Sequence, residues 1–217
     1  SFTLTNQWKR YTKTVTNASI TNGGVQFRIL DSEYAGDRTF DVWGVQLEQG
    51  SYATSIIPTS GGVVTRVADV CNNGANEQVI NSTEGVLYAE ISALADDGTS
   101  RYLSISDGSF TNRVSMYFSS SSNYIGARIV VGGTSIFLNA AGQTQDSNNK
   151  IAITWKINDY KLYVNGVQEA VNVTGGTFAA STLSELSFND GGTGVAYMNG
   201  NTKDVRVYNT ALTDQEL

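Results

Sequence analysis

Apolar and polar residues alternate along most of this chain, and clusters of Gly, Asn, Asp, Ser and Thr interrupt them at short intervals. Period-two alternation puts successive side chains on opposite faces of an extended strand. In the first 50 residues it predicts strands around Phe2 and Leu4, over Trp8–Val15, over Val25–Leu30 after the Gly23-Gly24 turn, and over Phe40–Leu47. Residues 48–66 read as a connector, with Pro58 and Gly61-Gly62 marking a boundary. This divides the chain into a partial β-sandwich segment with its connector, 1–58, and a complete sandwich, 59–217.

The second part alternates over Val86–Ala93, Tyr102–Ser106, Arg113–Phe118, Tyr124–Val131, Ser135–Leu138, Lys150–Ile157, Lys161–Val164, Leu183–Phe188 and Lys203–Tyr208. Asn158-Asp159 reads as a two-residue return. Asn165-Gly166 is the strongest short hairpin signal, because both positions of a type I′ turn need positive φ. Only the end reads as helical: Thr213 and Glu216 have the spacing of a capping box. The fold class is therefore all-β, an antiparallel β-sandwich with extra N-terminal strands.

Parity sorts the strands into inner and outer positions. With Leu87, Ala89 and Ile91 inward, Tyr88 and Glu90 face out. With Leu103 and Ile105 inward, Tyr102 faces out. Leu162 and Val164 inward put Tyr163 outward, and Ile151, Ile153, Trp155 and Ile157 share a core face. Tyr117, Tyr124 and Arg128 lie on strands whose parity the sequence leaves unsettled.

The abundant turns agree with 22 glycines and a single proline. The net charge is −6. Residues 1–58 carry five basic and five acidic residues of the chain's 14 and 20, leaving nine and fifteen beyond, so the second part holds the whole excess. An acidic surface argues against nucleic acid as a partner. No run of 18 apolar residues suggests membrane insertion. One cysteine, Cys71, cannot form an internal disulfide. The chain opens without Met inside an alternating pattern and ends at a helix-like start, and it reads as a piece of a longer polypeptide.

Two segments carry family resemblances. Residues 150–166, a core strand, a tight return and a strand ending in Asn165-Gly166, resemble a laminin-G or concanavalin-like jelly roll. Residues 203–217 resemble that family's closing strand and short helix. Separately, Asp41–Gly50 with Ala53–Thr59 resembles the segment that closes a carbohydrate-binding-module-like sandwich in phage tail proteins, where Thr-Arg-x-Ala-Asp often follows. Thr65-Arg66-Val67-Ala68-Asp69 matches it here. The resemblances imply a lectin-like, non-catalytic domain of a virion or extracellular protein that binds a polysaccharide or cell-surface glycan, with self-association into a homo-oligomer as in tail fibres. A carbohydrate-binding module of a secreted polysaccharide-degrading enzyme, or a purely structural virion domain, are the other readings.

The candidate chemistry agrees. The chain has no His, which removes Ser-His-Asp and Cys-His nucleophiles and His-based zinc sites. The paired-glutamate motif of the family's glucanases, Glu-x-Asp-x-x-Glu, does not occur. Glu90, Asp96, Asp97, Asp107, Glu185 and Asp190 are the remaining carboxylates for a catalytic pair. Calcium is the one metal the loops suggest, through Asp96, Asp97, Asn189 and Asp190. By resemblance, Asp41 stands where carbohydrate modules place a calcium-binding Asp. Turn formation is the competing reading of each. Sugars offer apolar faces to aromatic rings and hydroxyls to polar groups. Tyr88, Glu90, Tyr102, Tyr117, Tyr124, Arg128 and Tyr163 are therefore the candidate ligand-binding residues.

Overall fold

The inward set predicted by parity forms a single apolar layer between two antiparallel sheets, except Ile157, which was expected on the core face with Trp155 but is exposed in the turn that follows Lys156. The computed structural model describes residues 5–15, 39–48, 50, 52–65, 74–192 and 195–217. The chain divides into two compact units, Ser1–Val67 and Ala68–Leu217.

Among the described residues there are ten strands, all in the second unit. In chain order they are β1 (Gly85–Ala93), β2 (Arg101–Ser106), β3 (Arg113–Phe118), β4 (Tyr124–Val131), β5 (Thr134–Ala141), β6 (Asn149–Lys156), β7 (Asp159–Val164), β8 (Val167–Asn172), β9 (Glu185–Ser187) and β10 (Gly200–Tyr208). The first sheet has the order β10-β1-β6-β7-β8, and the second β5-β4-β3-β2-β9. This is a concanavalin-like jelly-roll sandwich.

Leu87, Ala89 and Ile91 of β1, Ile151, Ile153 and Trp155 of β6, and Leu162 and Val164 of β7 form one wall of the core. Leu103, Ile105, Val114, Met116, Ile125, Ala127 and Ile129 form the other. Burial of each large aliphatic side chain contributes roughly 1.5–3 kcal/mol. Trp155 is fully buried, and its indole N–H donates to the Ser82 carbonyl at 3.2 Å, which satisfies the one polar group it brings inside.

The turns follow local chemistry. Asn165 and Gly166 have φ of 54° and 80°, as a type I′ hairpin requires. The expected return at Asn158-Asp159 sits one residue earlier. Asp159 already pairs with Lys156, and Asn158 takes the positive φ of 57°. Strand β8 was not expected. Leu162 pairs with Ala170 but Tyr163 with Gln168, so Glu169 is an extra residue and the bulge breaks the alternation.

Two further expectations are corrected. Trp8–Val15 and Phe40–Leu47 are not strands: neither segment joins a ladder, and Trp8, Trp43 and Leu47 are exposed. Alternation gives a strand its faces but not a partner. The described part of this unit is instead held by side chains on backbone. Glu48 accepts bonds from the Thr54 amide and hydroxyl at 2.6 and 2.7 Å, and Gln46 Oε1 accepts from the Ile57 amide at 2.8 Å. The predicted strands at Phe2, Leu4 and Val25–Leu30 lie outside the described residues. At the other end, no helix follows Thr213. The Glu216 carboxylate does reach back to the Thr213 amide at 2.9 Å, but the segment closes as a turn. There Leu212 and Leu217 pack against Val86, Ala152 and Tyr163 on the outer face of the first sheet.

Candidate functional site

The outer face of the second sheet is built by strict alternation on four strands. Inward Leu103 and Ile105 leave Tyr102, Ser104 and Ser106 outward on β2. Inward Val114, Met116 and Phe118 leave Arg113, Ser115 and Tyr117 outward on β3. On β4 and β5 the outward set includes Tyr124, Gly126, Arg128, Ser135 and Phe137. Register then sets them in rows across the sheet. Tyr102 opposes Tyr117, which opposes Gly126. Ser104 opposes Ser115, Ser115 opposes Arg128, and Arg128 opposes Phe137.

The first row is aromatic. The rings of Tyr102 and Tyr117 stack with centroids 5.0 Å apart and planes 21° from parallel. Tyr117 lies down on the sheet because Gly126 has no side chain: a Cβ there would fall 2.3 Å from the ring. Burial, then the neighbouring Tyr102 and Tyr124, push the Tyr117 phenol up to about 12.

The second row is small and polar, and it carries the loop between β9 and β10. The Ser104 hydroxyl donates to the Asn189 carbonyl at 2.7 Å and shares a hydrogen bond with Ser115 at 2.9 Å. Gly191, at φ 78°, comes so close that its Cβ would meet the Cβ atoms of Ser104 and Ser106 at 3.1 Å. Asn189 Oδ1 caps the Gly191 amide at 2.8 Å. The Tyr102 amide donates to the Ala196 carbonyl at 3.1 Å, and Arg113 Nη1 donates to the Asp190 carbonyl.

Where this loop stops, an open cleft of about 430 Å³ remains, lined by Ser100, Tyr102, Phe110, Arg113, Arg128, Asp190 and Ala196. Arg113 is only 4% exposed, stands over the Phe110 ring at 4.8 Å, and leaves its Nε without a partner. Burial, then the nearby Arg128, push its guanidinium below the usual arginine range, with Asp190 opposing. Arg128 lies over Phe137 at 5.0 Å and donates to Ser135 Oγ at 3.0 and 3.3 Å. An aromatic wall and a cationic floor thus share one depression.

Four of the seven expected ligand residues share this face: Tyr102 and Arg128 line the cleft, Tyr117 stacks on Tyr102, and Tyr124 stands near Tyr117. The other three face outward on the opposite sheet. Tyr88 lies beneath Arg206, 5.9 Å from its ring centroid. Glu90 is bonded to Lys203 at 2.7 Å and to Asn148, and these bonds hold its carboxyl below the usual range. Tyr163 is covered by the C-terminal segment and donates to Asp214 at 2.6 Å. Burial, then that bond, raise its phenol. These three share no depression with Tyr102. Arg113 and Phe110 were not anticipated, although the inward run Val114, Met116, Phe118 assigns Arg113 to the outer face.

Four of the five residues named for calcium, Asp96, Asp97, Asn189 and Asp190, accept backbone amides. Asp96 Oδ2 accepts the Asn123 amide at 2.9 Å, and Asp97 Oδ1 accepts the Thr99 amide at 3.1 Å and Arg101 at 2.8 Å. Asp190 Oδ1 takes the Gly192 amide at 3.4 Å. Asp41 is exposed. Among the described residues, no three acidic, Cys or His residues gather where a metal could sit.

The family model for the concanavalin A-like lectin/glucanases superfamily matches residues 76–217. None of the curated protein sequences matches the chain. Among solved structures, the CBM40 module of a Ruminococcus gnavus IT-sialidase, bound to α2,3-sialyllactose, is similar with a TM-score of 0.52. The two are 19% identical, over 62% of this chain and 80% of that one. A NanB sialidase variant from Streptococcus pneumoniae is similar with a TM-score of 0.51 and 18% identity, over 64% of this chain and 24% of that one. At these identities the likeness is one of fold.

Proposed function

Because the chain belongs, through residues 76–217, to the concanavalin A-like lectin/glucanases superfamily, we propose that it binds a carbohydrate, without cleaving it, in the cleft on the outer face of its second sheet. The observation that carries this reading is the Tyr102 ring, held by its stack on Tyr117 at the edge of a depression floored by two guanidiniums. A sugar ring lays its C–H face on the aromatic wall while hydroxyls take the arginine N–H groups. Glycoside hydrolysis in its usual form needs two carboxylates flanking one bond. Among the described residues, Asp190 is the one carboxylate residue lining this cleft.

The test is a glycan array followed by calorimetry. Tyr102→Ala is expected to weaken binding by ~10-fold or more, in line with the ~1–3 kcal/mol of a lost aromatic stacking surface. Undiminished binding by that variant would remove the cleft from the site. Release of reducing ends from a bound polysaccharide would overturn the non-catalytic part.

The setting we infer is a phage tail or other virion surface, supported by Asp41–Thr59 and Thr65–Asp69. Tail proteins repeat their sites, so a weak single site suffices there. The second reading, a module appended to a polysaccharide-degrading enzyme, is supported by the sialidases with a similar sandwich. Antibody against this chain decorating purified virions supports the first; detection only in a secreted enzyme supports the second.

A further inference from the structure

Five cations of the second unit carry carboxylate partners: Arg101 with Asp97, Lys156 with Glu84, Lys161 with Asp214, Lys203 with Glu90 and Arg206 with Asp204. Arg113 and Arg128 have no such ion pair among the described residues, although the chain is acidic overall, at −6. They line the same cleft, and their proximity lowers the Arg113 pKa further than burial alone. Two guanidiniums thus share a cleft whose lining holds a single carboxylate, Asp190, and neither forms an ion pair with it, which leaves positive charge for a ligand to meet.

The placement is also rigid. Each guanidinium lies over its own phenylalanine ring and is fixed by its own acceptor, the Asp190 carbonyl for Arg113 and Ser135 Oγ for Arg128. A guanidinium carries five N–H donors, and these bonds leave several free on each. Arg113 Nε is buried with no acceptor at all, on a side chain more than nine-tenths buried. Such a donor is costly until an acceptor arrives. The opposing charge in the lining is Asp190, whose Oδ1 is turned to the Gly192 amide.

We propose that the cleft selects acidic glycans, and that Arg113 and Arg128 together bind the oxygens of the sugar's anionic group. The inference rests on the glycan reading above and adds the charge of the ligand. Paired guanidiniums match a carboxylate or sulfate through parallel charge-assisted hydrogen bonds. Tyr102 takes the adjoining sugar face.

The experiment is calorimetric titration of the 217-residue chain with α2,3-sialyllactose, with a sulfated lactose and with lactose itself, alongside an array of matched acidic and neutral oligosaccharides. The acidic member of a pair is expected to bind ~10–100-fold tighter than the neutral one, the range given by ~1.5–3 kcal/mol for hydrogen bonds to a charged group. That preference should fall as salt is raised. Arg128→Gln, on a partly buried side chain, should bring the acidic-to-neutral ratio towards one while the melting curve holds. Arg113→Gln should do the same, and Arg128→Lys should retain salt dependence at lower affinity. The carboxylated and sulfated arms decide which anion is taken. Neutral sugars bound as well as acidic ones, or a ratio unaltered in Arg128→Gln, would overturn the inference while leaving glycan binding in place. Absence of binding to any sugar would remove both.

Discussion

The ring of Tyr117 occupies the space a side chain on Gly126 would need, 2.3 Å from where its Cβ would stand. The clash is with the far end of a side chain, so the ring and not the backbone would give way. Gly126→Ala should therefore swing Tyr117 off the sheet and unstack Tyr102. The stack is worth ~0.5–1.5 kcal/mol, so the melting temperature should move little while glycan affinity falls several-fold. A variant that binds like the parent would show that the stack does not position the cleft wall.

The core prediction concerns Trp155. Its removal leaves a large void between the sheets and strands the Ser82 carbonyl. Trp155→Ala should cost ~3–5 kcal/mol in urea unfolding. Trp155→Phe should cost less but still lose the indole bond. A cost below about 1 kcal/mol for the alanine variant would mean the sheets collapse onto the space.

Loop placement depends on Gly191. Its φ of 78° strains any side chain, and an added methyl group would crowd the Cβ atoms of Ser104 and Ser106 at 3.1 Å. Gly191→Ala should lift the loop from the serine row, destabilise by ~1–2 kcal/mol through backbone strain, and raise hydrogen exchange at the Tyr102 amide, which donates to Ala196. Unchanged exchange there would contradict the docking role.

Alkaline pH gives a signed prediction. Tyr117 ionises at about 12 in the folded chain, against about 10 when unfolded. Its contribution is fully present below pH ~10, and it is lost as pH rises from there towards 12, because the unfolded chain sheds its proton first. The raised Tyr163 phenol acts in the same direction. Absorbance titration should show tyrosines that stay protonated past pH 11, and Tyr117→Phe should remove one of them. Stability that rises between pH 10 and 11 would contradict the sign.

Parity made much of this molecule legible. It identified the inner faces of β1, β2, β6 and β7 and placed Trp155 in the core, but it also carried that face on to Ile157, which lies exposed in the turn. It also put Tyr88, Tyr102 and Tyr163 outward, and all three are. What a single strand does not encode is which sheet it joins. Tyr102 and Tyr163 carry the same signature but lie on opposite outer faces, one beside an open cleft and the other under the C-terminal segment. The cleft's cations were half legible. Arg113 and Arg128 come from strands whose register makes them diagonal neighbours only once β3 pairs with β4, Arg113 opposite Val130 and Arg128 opposite Ser115. The failed strands at Trp8–Val15 and Phe40–Leu47 teach the converse, since alternation is a property of a segment and a ladder is a property of a pair.

The sheet grips the β9–β10 loop by main-chain carbonyls, those of Asn189, Asp190 and Ala196. Carbonyls are the same whatever residue bears them. Val195 and Tyr197, beside the last of these anchors, are half exposed. The loop can therefore change these side chains by point mutation without loosening its seat. Such an attachment separates evolvability from stability: the side chains at 195 and 197 can drift while Gly191 and the serines beneath stay fixed.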